Sequence, residues 1–122
     1  MVVGVRLGGA ARAYPMEALQ RQSPVQDAVG GAPVLLVLGE DGRSVRAFER
    51  TVAGRPLSFF ARPGAPLRLV DAETGSEWSF AGEATAGPLK GKKLAWVQAL
   101  KDYWFDWRTY NSGTSVYALR PG

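Results

Sequence analysis

Apolar positions recur along this chain in short runs, and glycine or proline interrupts nearly every one of them. Residues 2–7 read as a strand, Gly8-Gly9 as a two-residue turn and residues 10–14 as the returning strand. Pro15 suits the first position of a short helix over residues 16–22, which Ser23-Pro24 stops. After Gly30-Gly31 and Pro33 comes Val34-Leu35-Leu36-Val37-Leu38, a continuous apolar run with the length of a strand buried on both faces. Gly39-Glu40-Asp41-Gly42 turns the chain into residues 44–49, where Val45, Ala47 and Phe48 compete for the inner face.

Further strands are predicted at residues 57–60, 67–70, 76–80 and 94–97. Turns fall at Ala53-Gly54-Arg55, at residues 71–75 and at Lys90-Gly91-Lys92, and the stiff stretch 62–66 reads as a loop. Leu100, Tyr103, Trp104 and Trp107 then fall at i, i+3, i+4 and i+7, one apolar stripe that predicts a helix ending near Tyr110. Asp102 near its start and Arg108 near its end suit the helix dipole, and Asn111-Ser112-Gly113 is a stop signal. Residues 116–119 close the pattern with a last strand.

Composition sharpens this reading. Fifteen glycines and eight prolines favour strands joined by tight turns over long helices. The expected fold class is α+β, mainly antiparallel β: a curled sheet or partial barrel with one long C-terminal amphipathic helix and one short N-terminal helix. With 46% hydrophobic and 21% charged residues the chain resembles a folded globular protein, and its 122 residues fit a single domain, 1–122. No apolar run approaches the roughly 18 residues needed to span a bilayer. No signal peptide is read at Met1-Val2-Val3-Gly4, so an exported protein would carry one upstream.

The net charge is +4, which raises nucleic acid or an anionic surface as a partner. The arginines, Arg50 among them, are scattered and read as solvated, and only Lys90, Lys92 and Lys93 cluster. Nucleic-acid binding usually needs a patch, so it is disfavoured here. The chain has no histidine and no cysteine, which removes the usual general base, the thiolate nucleophile and the common soft-metal ligands.

Several phrases, taken in order, resemble a prokaryotic family known only as domain of unknown function 3179. They are Val3-Gly4-Val5 with Gly8-Gly9, Ala11-Arg12-Ala13-Tyr14-Pro15, the run 25–34, Phe48-Glu49-Arg50, Glu73-Thr74-Gly75-Ser76-Glu77-Trp78-Ser79, Gly82-Glu83-Ala84 and the run 86–91. Trp104 with Trp107-Arg108 matches the family's end, so the resemblance covers nearly the whole chain. It implies an extracytoplasmic setting. Many members carry a Cys-Pro-x-Cys stretch where this chain has Gly39-Glu40-Asp41-Gly42, and a histidine where it has Gln22. Two thiolates and an imidazole would make a soft-metal or redox site, which Gly39, Gly42 and Gln22 cannot supply.

Each candidate site has a plainer structural reading. Ser58, Ser76, Ser79, Ser112 and Ser115 lie among turn and strand residues, none in a recognisable nucleophile elbow. Glu77 and Glu83 flank Trp78 and could serve a carboxylate-based hydrolase acting on a saccharide, if they converged in one cleft. Asp71, Glu73 and Thr74 offer hard oxygen ligands suited to calcium, although aspartate favours turns on its own account. Arg12 faces the side of the first hairpin that carries Val5, and an inward arginine needs a partner. Asp27, an acid of the family phrases, can supply it as a structural ion pair. Phe105, Trp104 and Trp107 are the candidate partner surface. Trp104, Trp107 and Tyr103 could present rings as a ligand platform, although such a stripe more often faces a core. Phe105, off the stripe, is either covered by a neighbouring loop or exposed to a partner.

The expected function is therefore a non-catalytic binding or structural domain of an exported prokaryotic protein, with no catalytic residue, metal or cofactor assigned. Its expected partner is another domain or protein, and oligomeric state is left open. The alternatives are the saccharide hydrolase and anion or nucleic-acid binding through Lys90, Lys92 and Lys93.

Overall fold

The computed structural model describes residues 1–63 and 67–118. Along them run β1 (Val2–Leu7), β2 (Ala10–Pro15), α1 (Met16–Arg21), β3 (Val25–Val29), β4 (Ala32–Leu38), β5 (Val45–Glu49), β6 (Thr51–Val52) and β7 (Arg55–Pro56). There follow β8 (Phe59–Arg62), β9 (Arg68–Asp71), β10 (Glu77–Trp78), β11 (Ala84–Ala86), β12 (Ala95–Val97), β13 (Ala99–Asp102), α2 (Trp104–Tyr110) and β14 (Ser115–Val116). The strands form three four-stranded sheets, ordered β13-β1-β2-β14, β12-β5-β4-β3 and β11-β10-β9-β8, and a β6-β7 hairpin. Pairing is antiparallel apart from β14, which lies parallel to β2.

The middle sheet organises the rest, and β4 explains why. Its side chains alternate between faces, so Val34 and Leu36 enter one core while Leu35 and Val37 enter another. The first core joins them to Val3, Val5 and Tyr14 of the β1-β2 hairpin and to Leu19 of α1. The second joins them to Phe48, Leu69 and Trp78, under the third sheet. The architecture is mainly antiparallel β with two short helices; residues 95–102 pair with β5 through β12 and with β1 through β13, and the described residues form no closed barrel.

A third, smaller cluster covers the outer face of the first sheet, where Trp107 of α2 packs on Val2 and Ala13. The approach is close enough to require glycine beneath it, since a Cβ at Gly4 would overlap the Trp107 ring. The Trp107 indole also donates to Thr114 Oγ1 at 2.8 Å.

The long C-terminal helix does not form. Residues 99–102 run as β13, paired with β1 through Val2↔Asp102, Val3↔Lys101, Gly4↔Leu100 and Val5↔Ala99. Without β13 that edge of β1, four of whose residues are buried, would present unpaired backbone. Asp102 Oδ1 accepts the Tyr103 amide at 2.8 Å, Tyr103 is the N-cap, and α2 has only seven residues. It ends at Asn111, whose backbone and side-chain amides both donate to the Trp107 carbonyl.

Smaller differences have local causes. Residues 25–29, not foreseen as a strand, pair with β4 as the edge strand β3. Leu57 is buried but precedes β8, because its amide donates to the Arg50 carbonyl at 2.7 Å. The loop expected at 62–66 begins later, since Arg62 ends β8, and residues 64–66 lie outside the described residues. The last strand covers Ser115–Val116, and Leu119 also lies outside the described residues.

Candidate binding sites

The first sheet carries a different group on each face. Arg12 and Tyr14 point to the inner side of β2, Ala11 and Ala13 to the outer side, where α2 lies. Arg12 stands opposite Val5, and Asp27 stands opposite Val34, so both meet at the open edge of the first core. The structure brings them together: Arg12 Nε donates to Asp27 Oδ2 at 2.6 Å. The Tyr14 hydroxyl donates to the same oxygen at 2.9 Å, and Arg12 Nη1 reaches Ser115 Oγ at 3.0 Å. The guanidinium carbon lies 5.8 Å from the Tyr14 ring centroid and 5.7 Å from that of Tyr117. Burial, and then the Asp27 carboxylate, push the Tyr14 phenol well above its ordinary pKa, which keeps it a neutral donor. Arg12, Gln22, Gln26, Asp27, Tyr117 and Ala118 line a cleft of about 400 Å³ beside this pair.

Gln22 and the turn Gly39-Glu40-Asp41-Gly42 lie at one end of the β3-β4 ladder. Ser23 Oγ accepts the Leu38 amide at 2.9 Å, which ties the residue after Gln22 to the residue before Gly39. Asp41 holds this turn. Its carboxylate accepts the Ser44 hydroxyl at 2.6 Å and the amides of Arg43 and Ser44 at 2.9 and 2.8 Å. These bonds, the Ser44 hydroxyl foremost, lower its pKa to about 2. Gly39, Glu40, Asp41, Ser44, Leu67 and Phe80 line a second cleft of about 430 Å³.

Asp71 is fully buried and belongs to the fold. Its carboxylate accepts the Trp78 indole N–H at 2.8 Å, the Thr74 amide at 2.6 Å and the Thr74 hydroxyl. Glu73 Oε1 is turned to the Ser58 amide at 2.7 Å. Of the trio considered for calcium, the Asp71 carboxylate and one Glu73 oxygen are thus engaged by protein donors, and the Thr74 hydroxyl is turned to Asp71. Ser76 is also buried, and its hydroxyl accepts the Leu89 amide at 2.9 Å.

The two glutamates beside Trp78 face different partners. Glu77 pairs with Arg62 and lies 3.7 Å from Arg68, while Glu83 lies 3.4 Å from Lys93 on an isolated bridge. That leaves Lys90 and Lys92 as exposed charges in the turn before it. Arg50 corrects the picture of uniformly solvated arginines. Its guanidinium donates to the carbonyls of Val34 (2.9 Å), Leu57 (3.1 Å) and Asp27 (3.3 Å), so it clamps β3, β4 and the approach to β8. The only sequence signal for it was its place in the phrase Phe48-Glu49-Arg50.

On α2, Trp107 is buried and Trp104 half-buried against Val2, Ala11 and Ala13. Phe105 is 70% exposed, with the Arg108 guanidinium 4.9 Å from its ring centroid. Tyr103 and Tyr110, at the two ends of the helix, are 67% and 82% exposed. Leu100 and Val116 are also exposed, and they pair with Gly4 and Ala13 on the face that α2 covers. Among the described residues no helix is long and apolar enough to cross a membrane.

The chain matches, over residues 1–114, the family described as protein of unknown function (DUF3179). No curated protein and no solved structure matches it.

Proposed function

The chain belongs to the DUF3179 family, and from that premise we propose that it is a non-catalytic binding domain of an exported prokaryotic protein. Its contact surface is centred on Phe105 and its partner is a protein surface. The observation that carries this reading is the contrast along α2: Trp107 is 3% exposed and anchors the helix, whereas Phe105 is 70% exposed on the same seven-residue element. Trp107, with Trp104 half-buried beside it, holds the helix down, so the exposed phenylalanine adds nothing to that packing.

Aromatic side chains accompanied by arginine are the composition enriched at protein interfaces. Phe105 with Arg108 over its ring, flanked by Tyr103 and Tyr110, fits that composition. The matching partner surface offers an apolar recess for the ring and a carboxylate at its rim for the guanidinium. Extracytoplasmic placement rests on the family resemblance. Leu100 and Val116 extend the apolar area beside the helix.

The saccharide-hydrolase reading loses ground, because Glu77 and Glu83 are each engaged by basic side chains. Lys93, in turn, is diverted from the lysine cluster by Glu83.

The test compares native extracts containing wild-type protein or Phe105→Ala. The wild type should run in a complex larger than its own mass, and the variant should leave that complex. Phe105→Ala should change unfolding free energy by no more than about 0.5 kcal/mol, as an exposed substitution does, against about 3 to 5 for Trp107→Ala. A Phe105→Ala protein that stays in the complex would refute the assignment of this surface.

A further inference from the structure

A second recess lies on the opposite face of the first sheet from α2 and has no part in the aromatic surface. It is the cleft of about 400 Å³ at the open edge between β2 and β3. The geometry points to a binding site for a neutral polyhydroxylated ligand of the size of a sugar residue.

Charge is the first argument. The guanidinium of Arg12 and the carboxylate of Asp27 are joined at 2.6 Å, so the wall carries one positive and one negative group that compensate each other. Neither a lone anion nor a lone cation gains from that pair without facing the group of its own sign.

Hydrogen-bonding capacity is the second. Both bonds that Asp27 accepts through its side chain, from Arg12 and from Tyr14, fall on Oδ2. Among the described residues no donor is assigned to Oδ1. Gln22 uses Oε1 to accept the Tyr117 hydroxyl at 3.3 Å, whereas the Gln26 carboxamide is turned to the Phe59 amide on the other face of β3. The Gln22 carboxamide is thereby oriented, and its NH₂ group is the remaining donor. The cleft thus combines a carboxylate acceptor with amide and guanidinium donors. A hydroxyl both donates and accepts, so neighbouring hydroxyls on one ligand satisfy both kinds at once. An anion would satisfy the donors alone.

Preorganisation is the third. Arg12 is held by Asp27 and Ser115 and flanked by two tyrosine rings, so little side-chain freedom remains to be lost on binding. The volume lies within the range of small-molecule clefts.

Saturation-transfer NMR on the whole protein tests the assignment, with glucose, galactose and N-acetylglucosamine as neutral probes and glucuronate and glucosamine as charged ones. At least one neutral sugar should bind saturably at millimolar concentration, and the charged probes should bind at least about fivefold more weakly. Gln22 is exposed and outside the cores, so Gln22→Ala should keep the melting temperature while weakening binding by about five- to tenfold. Phe105→Ala should leave sugar binding unchanged. The proposal is overturned if no neutral sugar binds saturably up to about 50 mM, if a charged probe binds more tightly, or if Gln22→Ala binds as well as wild type.

Discussion

Asp71 concentrates the energetics of the third sheet in one carboxylate. It has no exposed surface, and it unites the two ends of the β9-β10 turn through Thr74 and the Trp78 indole. Burial alone would raise its pKa, but the Trp78 indole, the Thr74 hydroxyl and the amides of Thr74 and Ser76 outweigh it and hold the value below 3.8. The unfolded chain therefore takes up the proton first. The stability contributed by this carboxylate is full above about pH 4 and is lost as pH falls through the lower, folded-state value. Asp41 titrates in the same acid window, with its pKa lowered to about 2. Denaturant titrations between about pH 7 and 2.5 should show stability falling below about pH 4. Asp71→Ala should already be weaker by about 2 to 4 kcal/mol at pH 7, with a shallower acid limb. A variant as stable as wild type at pH 7 would contradict this role. Part of the turn was legible in advance, since aspartate at its head is what turn chemistry prefers. The indole partner was not, because a tryptophan seven residues on looks like any other core residue. Arg50 was hidden for a related reason: a guanidinium that bonds only carbonyls leaves no acidic partner for sequence pattern to find.

At the scale of elements, β4 and α2 show what periodicity can and cannot decide. The run Val34 to Leu38 reads correctly as a strand buried on both faces, because so short an unbroken apolar run between Pro33 and Gly39 suits a strand better than a helix. Leu100, Tyr103, Trp104 and Trp107 carry helical spacing, yet residues 99–102 are extended. Local spacing fits both outcomes, and the edge of β1, about 95 residues earlier in sequence, settles it by accepting a partner. The consequence is measurable. Cross-strand NOEs should link Gly4 with Leu100 and Val3 with Lys101. Helical i to i+3 NOEs beginning at Leu100 in place of those contacts would contradict the β13 assignment. The same pairing positions the proposed surface: by ending in a strand, this segment delivers α2 to the outer face, where Trp107 locks onto Gly4 and Phe105 is left outward.

For the whole molecule, the three sheets leave two unlike surfaces on opposite sides of the first. One is aromatic and arginine-bearing, around α2. The other is a polar cleft at the core's edge, around Arg12 and Asp27. In the proposed reading both surfaces serve recognition, and Glu77 and Glu83 are ion-paired to different basic side chains. The most direct test of that reading is site-specific photocrosslinking in producing cells, with a photoreactive phenylalanine analogue at position 105 and, as control, at the exposed Lys92. A discrete adduct with one protein is expected at position 105, absent at position 92 and lost when Arg108→Glu is added. Equal labelling at both positions, or an adduct indifferent to Arg108→Glu, would contradict a binding role for this surface.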